Sequence, residues 1–147
     1  MVRPTTPAVA VDVVIELLDH PGRPIVLIER KYPPYGWALP GGFVDIGETV
    51  EAAAVREMAE ETGLNVTLTG LLGVYSDPAR DPRGHTVGIV YTGQAHGSPT
   101  ALDDAAAVGV VCHEHLPALA FDHAAILEDY RRARAARRDF LVSLVGD

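Results

Sequence analysis

Residues 42–64 read GFVDIGETVEAAAVREMAEETGL, and this segment decides the fold around it. The spacing predicts a helix from Thr49 to Thr62, on which Glu57, Glu60 and Glu61 stand at i, i+3 and i+4 and share one face. Apolar side chains at spacings of three and four occupy the opposite face: Ala52, Val55, Met58 and Ala59. We therefore expect a helix that packs on a core with one side and presents a carboxylate stripe with the other.

The carboxylate stripe has two interpretations. Like charges at these spacings repel by roughly a few tenths of a kcal/mol each, so the stripe is unfavourable unless a cation lies within it. Hard divalent cations such as Mg²⁺ or Mn²⁺ prefer clustered carboxylate oxygens, keep several waters and bind together with phosphates. The alternative is a solvated acidic face on which Arg56 pairs with Glu60. The three glutamates alone leave both interpretations open.

A longer pattern surrounds the stripe and favours the metal. The chain carries Gly42-x5-Glu48-x7-Arg56-Glu57-Met58-x-Glu60-Glu61-x-Gly63-Leu64, which resembles the Nudix box with every position filled. This match is far more specific than a short glycine motif. The resemblance implies a hydrolase that cleaves a nucleoside diphosphate linked to another moiety, by attack of water at a pyrophosphate phosphorus with Mg²⁺ or Mn²⁺ as cofactor.

The same resemblance assigns roles within the box. It implies that Glu57, Glu60 and Glu61 are metal ligands and that the backbone carbonyl of Gly42 is a further one. Arg56 orients the acidic cluster. In this reading Glu48 lies near the metals, with a role that varies within the family.

The general base stays open between a glutamate of the box and a later acidic pair, Asp103-Asp104. Asp104 is also a candidate substrate contact. In either case a metal-bound water supplies the nucleophile, because divalent cations lower the pKa of water.

The residues before the box extend the resemblance. Trp37-Ala38-Leu39-Pro40-Gly41-Gly42 is similar to the strand and loop that lead into the box in many members, which makes Trp37 a candidate substrate contact. Paired glycines allow backbone torsions closed to other residues and let a phosphate or metal approach the main chain. The alternative is an ordinary turn between strand and helix.

Composition fits one compact domain over residues 1–147. A net charge of −8 argues against nonspecific nucleic-acid binding, and no apolar run reaches the roughly 18 residues that a membrane span needs. The first strand is interrupted by Asp12 and Glu16 and does not read as a signal peptide. The single Cys112 fits a reducing cytoplasm and is expected to be a small core residue. We expect a soluble cytoplasmic protein without nucleic-acid or membrane partners.

Alternation and turn residues predict a mixed α/β protein. We expect strands at Ala8–Leu18, Ile25–Arg30, Asn65–Tyr75, His85–Ala95 and Val108–Cys112, and a second helix from Phe121 to about Leu144. The first two strands suggest a hairpin. The resemblance implies the Nudix fold, an α/β/α sandwich with a mixed sheet.

The best evidence on substrate lies between residues 75 and 85. YSDPARDPRGH resembles a loop of Nudix members that hydrolyse ADP-ribose, in which a proline about fifteen residues past the box is a marker; Pro78 is in that place. Arg80 and Arg83 are candidate contacts for phosphate or ribose oxygens, and Tyr75, Tyr32 or Tyr35 for a purine ring. For the arginines the alternative is a solvated surface loop, and for the tyrosines a place in the core.

Two further segments and one departure complete the resemblance. The segment RKYPPY at residues 30–35 is similar to the basic segment before the tryptophan motif, and Arg30 is its candidate ligand contact. Residues 116–123 resemble the lead into the final helix. Val108 to Val111 departs from relatives that carry an acidic residue and a tryptophan there, so base recognition in that stretch is not inferred.

Other clusters carry less chemistry. The histidines lack a compact metal-ligand spacing, and the arginines at 131, 132, 134, 137 and 138 spread around a helix, which favours a solvated face or a subunit contact over RNA binding. The leading hypothesis is a Mg²⁺- or Mn²⁺-dependent hydrolase of ADP-ribose, giving AMP and ribose 5-phosphate. The alternatives are hydrolysis of oxidised nucleoside triphosphates and a sensor that binds ADP-ribose without cleaving it. A homodimer is possible on the resemblance alone.

Overall fold

A computed structural model describes residues 2–145, apart from the side chains of 139–142 and 145. It contains seven strands and two helices within that range. These are β1 (Ala8–Leu17), β2 (Ile25–Arg30), β3 (Trp37–Ala38), β4 (Gly41–Phe43), α1 (Val50–Thr62), β5 (Thr67–Tyr75), β6 (Thr86–Ala95), β7 (Ala105–Val111) and α2 (His123–Val145). The expected order of elements is confirmed, with ends that differ by up to three residues.

The strands form one mixed sheet. Its order is β3-β2-β1-β6-β5, with β4 also paired to β1 and β7 to β2. Strands β1 and β6 run parallel over their whole length, from Ala8 beside Thr86 to Leu17 beside Ala95, and the other pairings are antiparallel. The expected hairpin of β1 and β2 is present, and the expected α/β class with a mixed sheet is confirmed.

Strand β1 changes neighbour halfway along. Its first half pairs with β4, where Asp12 lies opposite Gly41, and its second half meets β2 at Glu16 and Ile25. At the changeover the Val13 N–H donates to the Pro40 carbonyl at 3.2 Å. This irregular place in the sheet lies next to the cavity described below.

Helices cover both faces of the sheet. On one face Val13 and Ile15 of β1 pack with Met58 of α1, and all three are fully buried. On the other face Val14 packs with Ile126, Leu127 and Tyr130 of α2. Successive residues of a strand point to opposite faces, so β1 supplies both cores. The result is the α/β/α sandwich.

Helix α1 has capping interactions at both ends. The Ala52 N–H donates to Thr49 Oγ1 at 3.1 Å, and Gly63 ends the helix in the left-handed conformation at φ 70°. A hydroxyl at the first position and a glycine at the last satisfy backbone groups that the helix leaves free. The helix predicted for Thr49 to Thr62 is therefore confirmed, with Thr49 as its cap.

The predicted apolar face of α1 is wrong. Of its four members Met58 alone is buried, and Val55 is 36% exposed. The residues of α1 that face the interior are Ala53, Ala54, Met58, Glu61 and Thr62. Two alanines give close packing on the sheet, and the rotation they impose carries Glu61 inward. The periodicity placed Val55 on the buried face, whereas the small residues Ala53 and Ala54 form the contact with the sheet.

Two smaller findings concern the surface. Cys112 is exposed, which corrects the expectation of a core residue; it lies just past the end of β7. No helix within residues 2–145 combines the length and the apolarity that crossing a membrane requires.

Candidate active site

A cavity of about 500 Å³ opens beside the first half of β1. Its lining comes from β1, β2, β4, α1, the segments that follow β2 and precede β7, the loop between β5 and β6, and the start of α2 with the segment before it. Two sets of charged side chains line it, which we call the acidic pair and the arginine group. The acidic pair is Glu57 and Glu61, and the arginine group is Arg30, Arg80 and Arg83.

The glycines of β4 hold the acidic pair. The Gly41 N–H donates to Glu61 Oε2 at 3.0 Å. A Cβ placed on Gly42 would lie 2.4 Å from the carboxyl carbon of Glu57, and one on Gly41 would lie 2.0 Å from Asp12 Oδ1. No side chain fits at position 41, because the Val11 carbonyl oxygen would also lie 2.1 Å from its Cβ, and a side chain at position 42 would displace the carboxylate of Glu57.

Too little positive charge lies near Glu57 and Glu61 to offset the cost of burying their ionised forms. Burial raises the pKa of Glu61 to about 8, partly opposed by the Gly41 hydrogen bond and reinforced by the charge of Glu57. Burial also raises the pKa of Glu57, against the lowering effect of its hydrogen bond with Arg56. Two crowded, partly buried carboxylates are a favourable place for a cation.

The donor set fits a hard divalent cation that keeps part of its own hydration. Within residues 2–145 no three side chains of His, Cys, Asp or Glu converge as a complete ligand set. Of the ligands that the resemblance implies, Glu57, Glu61 and the main chain at Gly42 line the cavity. Mg²⁺ and Mn²⁺ bind through one or two carboxylates plus waters and substrate phosphates, so an incomplete protein set is what they need.

Arg56 organises the box from outside the cavity. Its Nε and Nη2 donate to the two oxygens of Glu48 at 2.7 and 2.8 Å, and its Nη1 donates to Glu57 Oε1 at 2.9 Å. The same guanidinium reaches Glu60 Oε2 at 3.1 Å and the Phe43 carbonyl at 3.2 Å. These contacts agree with the orienting role that the resemblance implies for Arg56.

Glu48 and Glu60 lie apart from the acidic pair. The hydrogen bonds from Arg56 lower the pKa of Glu48 to about 2, with a further contribution from the Asp45 N–H. The Glu60 side chain is 45% exposed and bonded to Arg56, as the solvated interpretation of the stripe expected. Neither residue lines the cavity, so a ligand role for Glu48 or Glu60 stays a prediction.

Ion pairs and ring contacts fix the arginine group. Arg80 binds Asp122 through two hydrogen bonds of 2.9 and 2.8 Å, and Arg83 binds Asp81 at 3.1 and 2.9 Å. Arg30 Nε donates to the Pro34 carbonyl at 2.7 Å. A guanidinium has five N–H donors, so each of the three keeps donors for a ligand. The structure brings together the arginines predicted as substrate contacts.

Phe121 is an aromatic support shared by two of these arginines. The Arg30 guanidinium carbon lies 4.9 Å from its ring centroid and that of Arg83 lies 5.3 Å away. Phe121 has φ 54°, a left-handed conformation that is rare for a bulky side chain. Backbone conformations of this kind cluster at ligand sites.

Two predicted aromatic contacts do not fit their placement. Trp37 packs into the core on the α2 side, against Gly109, and Tyr75 donates its hydroxyl to Asp129 Oδ2 at 2.8 Å on the same side. Neither lines the cavity, because strand alternation turns both side chains toward α2. The aromatic residues that line it are Tyr32, Phe43 and Phe121. Asp104 also lines it, as predicted, whereas Tyr35 does not.

Sequence reasoning missed Asp12 and His123, which meet in the cavity. His123 Nε2 lies 3.7 Å from Asp12 Oδ2, and both side chains are mostly buried. Burial raises the pKa of Asp12 to about 7, opposed by Arg80, and burial lowers the pKa of His123 to about 4. One signal was visible: Asp12 is a carboxylate in the middle of the apolar stretch VAVDVVI.

Comparison with known proteins agrees with this geometry. The NUDIX domain family matches residues 6–130. An ADP-ribose pyrophosphatase of Methanocaldococcus jannaschii is 51% identical over 129 residues, which are 86% of this chain and 74% of the relative.

Solved structures share the fold. The NUDIX domain of Shewanella oneidensis NrtR, complexed with ADP ribose, superposes with a TM-score of 0.75 at 26% identity over 88% of this chain and 89% of that one. A MutT NUDIX hydrolase of Burkholderia pseudomallei gives a TM-score of 0.73 at 32% identity over 85% of this chain and 98% of that one. These matches agree with the box, the three-layered fold and the acidic pair beside β4. They establish that the chain belongs to the Nudix family of hydrolases.

Proposed function

We propose that this hydrolase cleaves ADP-ribose to AMP and ribose 5-phosphate, with Mg²⁺ or Mn²⁺ as cofactor. One observation carries the proposal: the acidic pair and the arginine group line the same cavity. A diphosphate needs both the acidic pair and the arginine group. Metal cations held by the carboxylates and the guanidinium groups themselves bind different phosphate oxygens, and together they neutralise its negative charge. The identity to an archaeal ADP-ribose pyrophosphatase over most of the chain supports the substrate.

The cofactor and the residues around it divide the work. Divalent cations bound at Glu57, Glu61 and the Gly42 main chain would supply charge neutralisation and an activated water. Gly41 holds Glu61 in place and Arg56 holds Glu57. Hydrogen bonds from Gly41 and Arg56 thus fix the orientation of the two carboxylates.

In the proposed reaction, water attacks one phosphorus of the diphosphate and the anhydride P–O bond breaks. The attacked phosphorus keeps the oxygen of the water, and the bridging oxygen leaves with the other phosphorus, so that AMP and ribose 5-phosphate are released. The proton of the water passes to a carboxylate. Glu57, Glu61 and Asp104 all line the cavity and are the candidates for this base. Arg30, Arg80 and Arg83 are placed to hold the phosphate oxygens, because ion pairs and the Phe121 ring already restrict their side chains.

A second substrate class has a specific relative behind it. A Bacillus subtilis protein named a putative 8-oxo-dGTP diphosphatase is 47% identical, over 77 residues that are 52% of this chain. That match covers far less of the chain than the archaeal one, and we therefore favour ADP-ribose. We also propose a cytoplasmic location, because an exposed cysteine without a disulfide partner suits a reducing environment.

The test is product analysis by chromatography. ADP-ribose, 8-oxo-dGTP, diadenosine polyphosphates, NADH and nucleotide sugars are incubated at equal concentration with Mg²⁺, with Mn²⁺ and with chelator. The expected result is metal-dependent conversion of ADP-ribose to AMP and ribose 5-phosphate with the highest kcat/KM. Preference for 8-oxo-dGTP would retain the site and reject the substrate. Binding of ADP-ribose without turnover of any compound would indicate a sensor.

A further inference from the structure

Asp12 is a buried carboxylate in the cavity to which the proposed reaction assigns no role. Its side chain is 13% exposed and lines the cavity where β1 changes neighbour from β4 to β2. Space for it exists because residue 41 is a glycine: a Cβ there would lie 2.0 Å from Asp12 Oδ1. The sheet irregularity and Gly41 together create a niche for one carboxylate.

This carboxylate has weak partners in the protein itself. Within residues 2–145 the ion-pair partner found within 4.0 Å of it is the ring of His123, with Nε2 3.7 Å from Oδ2, and burial keeps this ring neutral. That distance is too long for a hydrogen bond. Buried carboxylates are nearly always satisfied by hydrogen bonds, and one that lines a cavity is available to satisfy a ligand.

His123 cannot turn away from Asp12. The Leu39 N–H donates to His123 Nδ1 at 3.0 Å, so Nδ1 carries no proton and the hydrogen of the neutral ring is on Nε2. That N–H is on the nitrogen nearest to Asp12 Oδ2. The ring is 4% exposed and packs on Phe121 at 5.2 Å between centroids. His123 therefore keeps its Nε2 on the side of Asp12 Oδ2 and leaves Oδ1 without this neighbour.

The charge of Asp12 restricts what its ligand can be. It attracts Arg80 and Arg30 and is repelled by Glu57 and Asp122. A phosphate oxygen next to it would add a further repulsion of like charges. In its ionised form Asp12 therefore suits a hydrogen-bond donor of the substrate better than an oxygen of the diphosphate.

We infer that Asp12 is a specificity-determining residue whose carboxylate accepts hydrogen bonds from the hydroxyl groups of the sugar linked to the nucleoside diphosphate. The inference rests on the proposed function, because it takes the diphosphate to lie with the metal ions and the arginine group. A carboxylate accepts from two neighbouring hydroxyls at once, as a vicinal diol presents them. A site built around such a buried acceptor rejects analogues that lack the donor.

The test compares Asp12→Asn with the wild type on two compounds. One is ADP-ribose and the other is the pentyl ester of ADP, which replaces the terminal ribose with a chain without hydroxyls. We expect Asp12→Asn to lower kcat/KM for ADP-ribose by about 10- to 100-fold, mainly through KM, because a hydrogen bond to a charged group is lost. For the pentyl ester we expect no change.

The matched control is Glu16→Gln. Glu16 is on the same strand and the same side of it, lies outside this cavity and accepts a hydrogen bond from Tyr130 that a glutamine also accepts. It should leave both values unchanged. If Asp12→Asn lowers the melting temperature severely, Asp12→Ala takes its place, because alanine leaves no polar group to bury.

Binding separates this inference from the reaction itself. The α,β-methylene analogues of both compounds resist cleavage, and calorimetry with Mg²⁺ measures their affinity even if the protein hydrolyses neither parent compound. A selective loss of affinity for the ribose analogue in Asp12→Asn supports the inference. Equal losses for both analogues, or no loss for either, would overturn it. The measurement is repeated with an analogue that carries hypoxanthine in place of adenine. If Asp12→Asn weakens binding of the adenine analogue and not of the hypoxanthine analogue, Asp12 contacts the base, and the inference is overturned.

Discussion

The guanidinium of Arg80 and the carboxylate of Asp122 join the loop before β6 to the start of α2 through two hydrogen bonds of 2.9 and 2.8 Å. The Arg80 side chain is 6% exposed. Its carboxylate partner therefore both compensates a buried charge and aims an arginine into the cavity.

We expect Asp122→Ala to destabilise the protein by about 3 kcal/mol, because removal of one partner leaves the other charge buried and unpaired. Urea unfolding measures the change. The control is Glu128→Ala, which removes an exposed partner shared by Arg131 and Arg132 and should cost less than about 1 kcal/mol. Similar losses in the two variants would show that burial of Arg80 is unimportant.

The acidic pair can be separated experimentally from the rest of the box. We expect Glu57→Gln and Glu61→Gln to lower kcat by more than about 100-fold, beyond the loss typical of groups that only orient a ligand. The fold should persist, because glutamine keeps an acceptor for the Gly41 N–H that now bonds Glu61. Glu60→Gln tests the third predicted ligand. A loss below about 10-fold is expected, because Glu60 is exposed and outside the cavity.

Binding of Mn²⁺ to metal-free protein supplies a reading that does not depend on turnover. Titration calorimetry should show weaker binding to the Glu57 and Glu61 variants than to wild type. A Glu60 variant as impaired as these two would support the predicted place of Glu60 in the ligand set. Unfolding of either Gln variant would contradict the separation of metal binding from the core.

The stability of the protein should depend on pH through His123. Burial lowers the pKa of His123 from its ordinary value of 6.5 to about 4. The positive charges of Arg80 and Arg30 lower this pKa further, and the negative charge of Asp122 opposes the shift. Asp12 also faces the ring. A depressed pKa means that the unfolded chain binds the proton first as pH falls. The contribution is therefore complete above pH 6.5 and is lost between pH 6.5 and 4, by about 3 kcal/mol.

The comparison for this pH dependence is His123→Asn, whose side chain still accepts from the Leu39 N–H and does not titrate. Unfolding free energies of both proteins are measured from pH 7.5 to 4. The difference between wild type and variant should shrink by about 3 kcal/mol over that range. A constant difference would show that His123 is protonated equally in the folded and unfolded chain.

Packing on α1 gives a direct test of the corrected helix face. Met58→Ala should cost about 2–5 kcal/mol, because Met58 is fully buried in the core cluster below α1. Val55→Ala, on the half-exposed side, should change stability by less than about 1 kcal/mol. Equal effects in urea unfolding would favour the helix face that periodicity had predicted.

The sequence was informative where function depends on spacing along one element. The box predicted the helix and the two glutamates of the acidic pair, because residues at i and i+4 share a face wherever the helix lies. The arginine group was also predictable, because two of its members lie in one loop between strands and Arg30 is the last residue of a strand. The phase of the helix was not, because it depends on how closely Ala53 and Ala54 approach the sheet.

Residues that meet only through the tertiary fold were missed or misplaced. Asp12 and His123 are distant in sequence and adjacent in space, so periodicity carries no information about their contact. Trp37 and Tyr75 had the chemistry of ring-stacking residues, yet strand geometry turns both toward α2. Phe121 takes a left-handed backbone that nothing local in the sequence announces.

The parallel pairing of β1 with β6 determines when the protein becomes able to bind anything. Ala8 lies beside Thr86, so this pairing closes a loop that contains α1, β4 and β5. Such nonlocal strand pairs are slow to form, because loop closure must precede the contacts that reward it. Asp12, Arg80 and Arg83 are on or next to these two strands. During refolding, nucleotide binding should therefore appear with the last structural phase and after the box helix has formed.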